Sequence, residues 1–332
     1  MSLWRMAWRY LWARALVTVL TLTGIALGTS LICGVLTLRR ESERGFLRES
    51  GQFDLVVGAK GSPLQLVLSS VYQLDTPTGN IPYSRYEALR DDKRVASAIP
   101  LGLGDNFHGF RIVGTEAKLF ALKDRKDRAK PLYALASGRL FEKEFEAVIG
   151  SQVARQSGLK LGDTFAGSHG LVMREGTSEH ADSPYTVVGI LADNQTSTDR
   201  GVYVSLASVW KIHAKESAAH TRPAGAPTPD PEVTAVLVRL KSVGMRLWIG
   251  QEIQKRTEAM AAIPVNEMLR LYQQVLGPMQ RILLGVAALV VVVSALSITA
   301  TFYQSAERRR RDLAVLRALG AHRREIFALV IL

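Results

Sequence analysis

A single cysteine, Cys33, means that no intramolecular disulfide can form. The chain also has no G-x-x-x-x-G-K-[ST] phosphate loop, no nucleophile elbow and no paired cysteines. Short glycine-containing pieces such as residues 58–61 read as turns rather than nucleotide cradles. These absences point to a non-catalytic protein that binds no cofactor of its own. Two stretches lack charge altogether, residues 15–38 and 282–306, and each is long enough to cross ~30 Å of hydrocarbon. The first is too long for a removable signal peptide and ends in Arg39-Arg40 with no small-residue cleavage pattern. Cys33 lies inside it behind Ile32, where a lipidated cysteine would follow a small residue, and is read as a packing residue.

The formal net charge of +12 is unevenly placed. Arg5, Arg9 and Arg14 precede the first apolar run with no acidic residue among them. Residues 307–325 carry Arg308–Arg311, Arg317, Arg323 and Arg324 against Glu307, Asp312 and Glu325. Basic flanks on the same side of two spans are a topology signal, which excludes a nucleic-acid footprint as the better reading. Both flanks are thus cytoplasmic, and residues 39–281 lie outside. Arg39, Arg40, Arg44 and Arg48 weakly oppose this orientation, but long loops translocate largely regardless of charge.

The expected layout has six parts. Residues 1–14 form a cytoplasmic interfacial helix in which Trp4, Trp8 and Trp12, four apart, line one side and anchor to membrane lipid. Residues 15–38 are the first span, where Gly24 and Gly28 make a G-x-x-x-G for close helix packing. Residues 39–281 form a large extracytoplasmic domain with helical stalks, and 282–306 the second span. A cytoplasmic helix, 307–325, carries an apolar stripe of Leu313, Val315, Leu316 and Leu319 between arginines. Residues 326–332 are apolar and begin an incomplete third span.

In the outer region, FDLVVG (53–58), VASAIPL (95–101), FRIVG (110–114), EAVIG (146–150), YTVVGIL (185–191), GVYVSL (201–206) and VTAVLVRL (233–240) read as strands. Helices are expected at 40–48, 64–74, 84–90 with Ser84 as N-cap, 151–158, 205–213, near 243–258, and 266–280 with a kink at Pro278. Ser217 to Pro231 reads as a loop or flap. The alternation predicts a mixed α+β domain.

Two regions carry a resemblance. One is the segment ERRRRDLAVLRALGA, Glu307 to Ala321. The other is the ordered set SGRLF (137–141), VIG (148–150), LGDT (161–164) and YTVVGIL (185–191). Together they resemble the permease subunits of MacB/FtsX-type ABC transporters, including lipoprotein-release permeases; Asp312 stands where Glu is usual. The resemblance implies a membrane protein of α-helical spans with a MacB-like periplasmic core, multi-pass in the bacterial inner membrane with its N-terminus cytoplasmic. Such permeases have four spans, so this sequence reads as a truncated or fragmentary member. The resemblance further implies a homodimer or heterodimer of permeases, a periplasmic substrate-binding or accessory protein, and a separate ABC ATPase that holds ATP and Mg. Glu307, Arg308, Arg311, Asp312, Leu313, Leu316, Arg317, Leu319 and Gly320 would form the helix that docks into the ATPase, transmitting its motion outward.

His169, Glu179, His180, Asp182, His213 and His220 are zinc-ligand types in the outer region, but no H-x-x-x-H spacing groups them, and polar loop residues are the simpler reading. His108 and His322 read as surface residues. A transmembrane sensor shares the two-span layout but would continue into heptad-patterned helices, which are absent here. The family's regulatory branch, whose outer domain controls a cell-wall hydrolase, is the remaining alternative to transport.

Overall fold

The computed structural model describes residues 15–169, 183–219, 230–308 and Ala318. Uncharged residues 15–38 and the charged continuation beyond them form one helix without a break, α1 (Ala15–Ser50). Short strands and helices then alternate. First come β1 (Leu55–Ala59), α2 (Pro63–Ser70), β2 (Ile81–Pro82), α3 (Tyr83–Asp91), β3 (Val95–Phe107) and β4 (Phe110–Thr115). Next are β5 (Leu135–Gly138), β6 (Glu146–Ile149), α4 (Ser151–Ser157), β7 (Thr164–Phe165) and β8 (Ser168–His169). Then follow β9 (Tyr185–Leu191), β10 (Val202–Ser205), α5 (Leu206–Ala219), β11 (Glu232–Val233), β12 (Ala235–Leu240), α6 (Arg246–Arg256), β13 (Ala259–Ala262) and α7 (Pro264–Leu271). A π-helical turn, Tyr272–Leu276, leads into α8 (Gly277–Arg308).

Arg44–Tyr272 form one compact unit, and the described residues on either side of it form a second. The larger unit is built on an eleven-stranded mixed sheet with the main order β13-β1-β12-β3-β4-β10-β6-β9-β5. β1 lies between β12 and β13, antiparallel to both, and its apolar run is buried on both faces. β9 instead alternates buried Tyr185, Val187 and Leu191 with half-buried Thr186, Val188 and Ile190. One sheet face packs Leu66, Val67 and Met268 of α2 and α7 over Val56, Leu101 and Leu237. The other carries two clusters, Tyr86, Leu89 and Ile249 of α3 and α6 over Leu55 and Val236, and Val153, Val209 and Ile212 of α4 and α5 over Ile112 and Val202.

Local chemistry explains most boundaries. Ser62 Oγ accepts from Gln65 N at 3.3 Å and Pro63 sits in the first turn of α2. The β3–β4 hairpin closes on His108 and Gly109, both at positive φ as a two-residue I′ loop requires. Several expectations are corrected. Helix 64–74 stops at Ser70, because Gln73 and Asp75 take left-handed φ of 56° and 66°. α3 starts at Tyr83 behind Pro82 with no side-chain cap, so Ser84 is not its N-cap; the Tyr83 ring packs against Tyr86 and Trp210 at 5.0 and 5.1 Å. α5 runs to Ala219, past the expected start of the loop at Ser217. β3 continues through Gly102 and Gly104 to Phe107 rather than ending at Leu101. At the expected Pro278 kink the structure has the π turn just upstream. A proline lacks the N–H that an α-helix needs there, and a wider turn relieves the clash with the preceding carbonyls.

In the smaller unit, α1 and α8 are the two helices among the described residues long and apolar enough to cross a membrane. They meet at small residues. A Cβ built on Gly24 would lie 2.6 Å from Ser294 Oγ, and one on Gly28 2.8 Å from Val291 Cγ2. Glycine at both positions lets the backbones approach closely.

Candidate functional site: the junction of the first helix with the sheet

Where α1 ends, the chain passes within a few residues from helix to the buried strand β1, and the turn between them is held by charge. Gly51 N donates to Leu47 O at 3.1 Å; a Cβ on residue 51 would stand 2.7 Å from that same carbonyl. Gln52 Oε1 accepts from Arg125 N at 3.1 Å and Arg239 Nη2 at 3.2 Å, while Arg239 Nε donates to Gln52 O at 2.9 Å. Asp54, 2% exposed, accepts from both Nη atoms of Arg125 and from Leu240 N at 2.7 Å. A buried carboxylate is tolerable only when paired and hydrogen-bonded in this way. Burial and the nearby Arg125 charge push the Arg239 guanidinium below its usual value, and its carbon lies 5.5 Å from the centre of the Phe53 ring. The result fastens the exit of α1 to the 123–125 segment and to β12 together.

The last turn of α1 is tied on its other side. Ser197 N donates to Glu49 Oε1 at 2.9 Å, and Arg48 Nη2 to Asn194 Oδ1 at 3.2 Å. Asn194 Nδ2 donates to Leu132 O at 3.1 Å, and Ser197 Oγ to Val71 O at 2.8 Å. Segment 194–199 is itself braced by a capping box in which Thr196 and Asp199 satisfy each other's backbone. These groups border a cavity of about 30 Å³ lined also by Phe53, Asp124 and Tyr133. The buried Glu49 Oε2 has no hydrogen-bond partner among the described residues. Glu49 lies in the charged stretch beyond the uncharged run 15–38, and burial, outweighing its bonds to Ser197, raises its carboxyl above the ordinary 4.5.

Apart from Arg48, singled out only for its charge, none of these joint residues stood out in the sequence. The available signal was a single charge inside an apolar strand, Asp54 in FDLVVG and Arg239 in VLVRL, since such a charge must be paired once buried. Of the residues that did stand out, Trp4, Trp8, Trp12, Arg311, Asp312, Leu313, Leu316, Arg317, Leu319, Gly320, His180 and His220 lie outside the described residues. Glu307, exposed, and Arg308 end α8. His108 forms the β3–β4 turn. His169 ends the short β8, and His213, on α5, stands 3.7 Å from buried Asp105. Among the described residues no group of three or more His, Cys, Asp or Glu side chains gathers into a ready-made metal centre.

Two family descriptions match the chain: "MacB-like periplasmic core domain" over residues 18–245, and "FtsX-like permease C-terminal" over residues 284–332. Among solved structures, the extracellular domain of the noncanonic ABC-type transporter YknZ from Gram-positive bacteria is similar over 62% of this chain and 98% of its own, at 11% identity and a TM-score of 0.35. The periplasmic region of MacB from Actinobacillus actinomycetemcomitans is similar over 69% of this chain and 98% of its own, at 10% identity and a TM-score of 0.41. No curated protein sequence matches the chain.

Proposed function

The chain belongs to the MacB/FtsX-type ABC transporter permease family, and on that premise we propose that it converts the motion of a separate ATPase into movement of its outer domain. In this reading the large unit is periplasmic, α1 and α8 cross the inner membrane, and residues 307–325 lie in the cytoplasm against the ATPase. Leu313, Leu316 and Leu319 are the buried anchors of that contact, Glu307, Arg308, Arg311, Asp312, Arg317 and Gly320 its rim and end. ATP and Mg stay on the partner, and the permeases act as a pair.

The observation that carries this reading is the end of α1. A helix that runs unbroken from Ala15 to Ser50 finishes in a turn bonded to three separate parts of the sheet domain. In this reading, the bonds made by residues 48–54 are where a displacement of the helix reaches the sheet domain. A tether that merely held the domain at the membrane would not need this many buried polar bonds.

The reading is tested by purifying the tagged chain from native membranes and measuring ATP hydrolysis in the eluate. The wild type is expected to bring an ATPase with it, and Leu316→Asp to lose it while the outer domain keeps its unfolding transition. Wild-type eluate without ATPase activity would refute the proposal.

A further inference from the structure

We propose that the groove between α3 and α6 binds a short fatty-acid-like anion, its acyl tail on the groove floor and its carboxylate between Arg85 and Arg256. The two helices lie on one face of the sheet, over the strands β13-β1-β12-β3. Each turns one stripe of side chains to the gap between them. From α3 come Arg85, Ala88, Leu89 and Asp92. From α6 come Ile249, Glu252, Ile253 and Arg256. Both sets have the i, i+3, i+4, i+7 spacing of a single helix face. Ala88 offers only a methyl where a longer side chain would fill the gap, and a cavity of about 180 Å³ remains. Its floor of Val57, Leu89, Ile249 and Ala259 is apolar and buried. An apolar cavity of ~150 Å³ holds a guest of about six carbons, the size of benzene. An acyl tail of similar length matches the space here.

The two ends of the groove differ in charge. Val95 at the start of β3 stands opposite Leu240 at the end of β12, so α3 finishes at the end of the sheet where α6 begins. The helices therefore run antiparallel. At that end Arg94 clasps both sides, donating from Nε to Asp92 Oδ1 at 2.9 Å and from Nη1 to Glu252 Oε2 at 2.9 Å. Its charge is matched there. Arg85, in the first turn of α3, and Arg256, the last residue of α6, fall toward the other end. Arg85 is half-buried and makes no hydrogen bond or ion pair among the described residues. Arg256 reaches only Glu252 Oε1, at 3.4 Å, and keeps 78% of its side chain in solvent. A half-buried guanidinium beside an apolar cavity is costly without an anion. A carboxylate is the planar group that its fork of donors suits.

The lining offers a peptide little. Asp92 and Glu252 are held by Arg94, and Thr257 Oγ1 donates to Ile253 O at 2.7 Å while accepting from Ala259 N at 3.1 Å. The amides of a peptide would give up water here without replacement, whereas an acyl chain carries none.

The test is equilibrium dialysis of radiolabelled octanoate against the full chain in nanodiscs, with uptake by empty nanodiscs subtracted. One saturable site is expected, half-filled at or below ~1 mM, as suits a ligand of about ten non-hydrogen atoms. Arg85→Gln should weaken it by ~10-fold or more, the loss of a charge-assisted pair. Ala88→Trp should abolish it by filling the groove, and Arg90→Gln, outside the groove, should leave it unchanged. Methyl octanoate, with the same tail and no charge, should compete at least ~10-fold less well than octanoate. Arg85→Gln carries the test should Ala88→Trp fail to fold. The proposal is overturned if no site saturates in that range, if Arg85→Gln or folded Ala88→Trp binds as the wild type does, or if the ester competes equally. A groove that instead seats a second copy of the chain would take up no octanoate, and Ala88→Trp would then lower the oligomeric state, which overturns it too.

Discussion

Replacing Arg125 with methionine should damage the outer domain far more than its partial exposure suggests. The change leaves the Asp54 side chain, 1% exposed, without its bidentate partner, while Leu240 N still donates to it at 2.7 Å. Removing one member of a buried pair costs about 3–5 kcal/mol, mostly because the survivor remains charged and desolvated. Arg125 keeps 28% of its side chain in solvent and one backbone donor persists, so the lower end, about 3 kcal/mol, is expected. For a domain of this size that is a fall in Tm of ~6–12 °C. The assay is thermal unfolding followed by tryptophan fluorescence, with Arg90→Met as control. The Arg90–Asp91 pair is 40% and 67% exposed, and its loss should leave the Tm close to that of the wild type. Adding Asp54→Asn to Arg125→Met removes the orphan charge and should restore ~1–2 kcal/mol. The reasoning fails if Arg125→Met costs less than ~1 kcal/mol, or if the double variant is no more stable than the single.

Three other outcomes are expected. Glu49 has a folded-state carboxyl raised above 4.5, so it favours the folded state least once ionised. Its contribution therefore declines as pH rises from about 4.5 through the raised value, and Glu49→Gln, which can still accept from Ser197 N, should flatten denaturation midpoints measured from pH 5 to 7; an unchanged slope would show that the carboxyl is not what titrates. Glu146 behaves oppositely. Arg139, with help from Glu142 N and Lys143 N, holds it down at about 2, so its stabilisation is full above 4.5 and fades between 4.5 and about 2, a fade that acid titration should no longer show in Glu146→Gln. Gly28→Leu drives a side chain into Val291 Cγ2, which a Cβ alone would approach to 2.8 Å. Overpacking of this kind costs ~1–3 kcal/mol, and cysteine cross-linking between α1 and α8 should fall; equal cross-linking would mean the helices do not pack there.

Local patterns announced much of this architecture. The uncharged runs, the alternation in YTVVGIL and the helix expected over 151–158, which ends one residue earlier because Gly158 turns left-handed at φ 75°, were all legible because each depends on neighbours in sequence. What escaped depends on distance. β13, with its run Ala259–Ala262, looks like nothing until it lies beside β1. The glycines that disguised the second half of β3 are there because α5 needs room, a tertiary reason. The junction gathers residues 48–54, 124–125, 194–199 and 239, which no window of sequence brings together. The same holds for Arg85 and Arg256, brought to one groove by two helices that share a sheet face.

The position of β1 also governs how the protein is made. Its partners β12 and β13 begin at Ala235 and Ala259, so the strand first out of the ribosome waits for almost the last. At ~5–20 residues per second, the roughly 200 intervening residues take on the order of 10–40 s. Throughout that interval a nascent chain carries an apolar strand with both edges open, a state prone to aggregate. Its biogenesis thus calls for a holding factor, or for threading through the translocon ahead of folding.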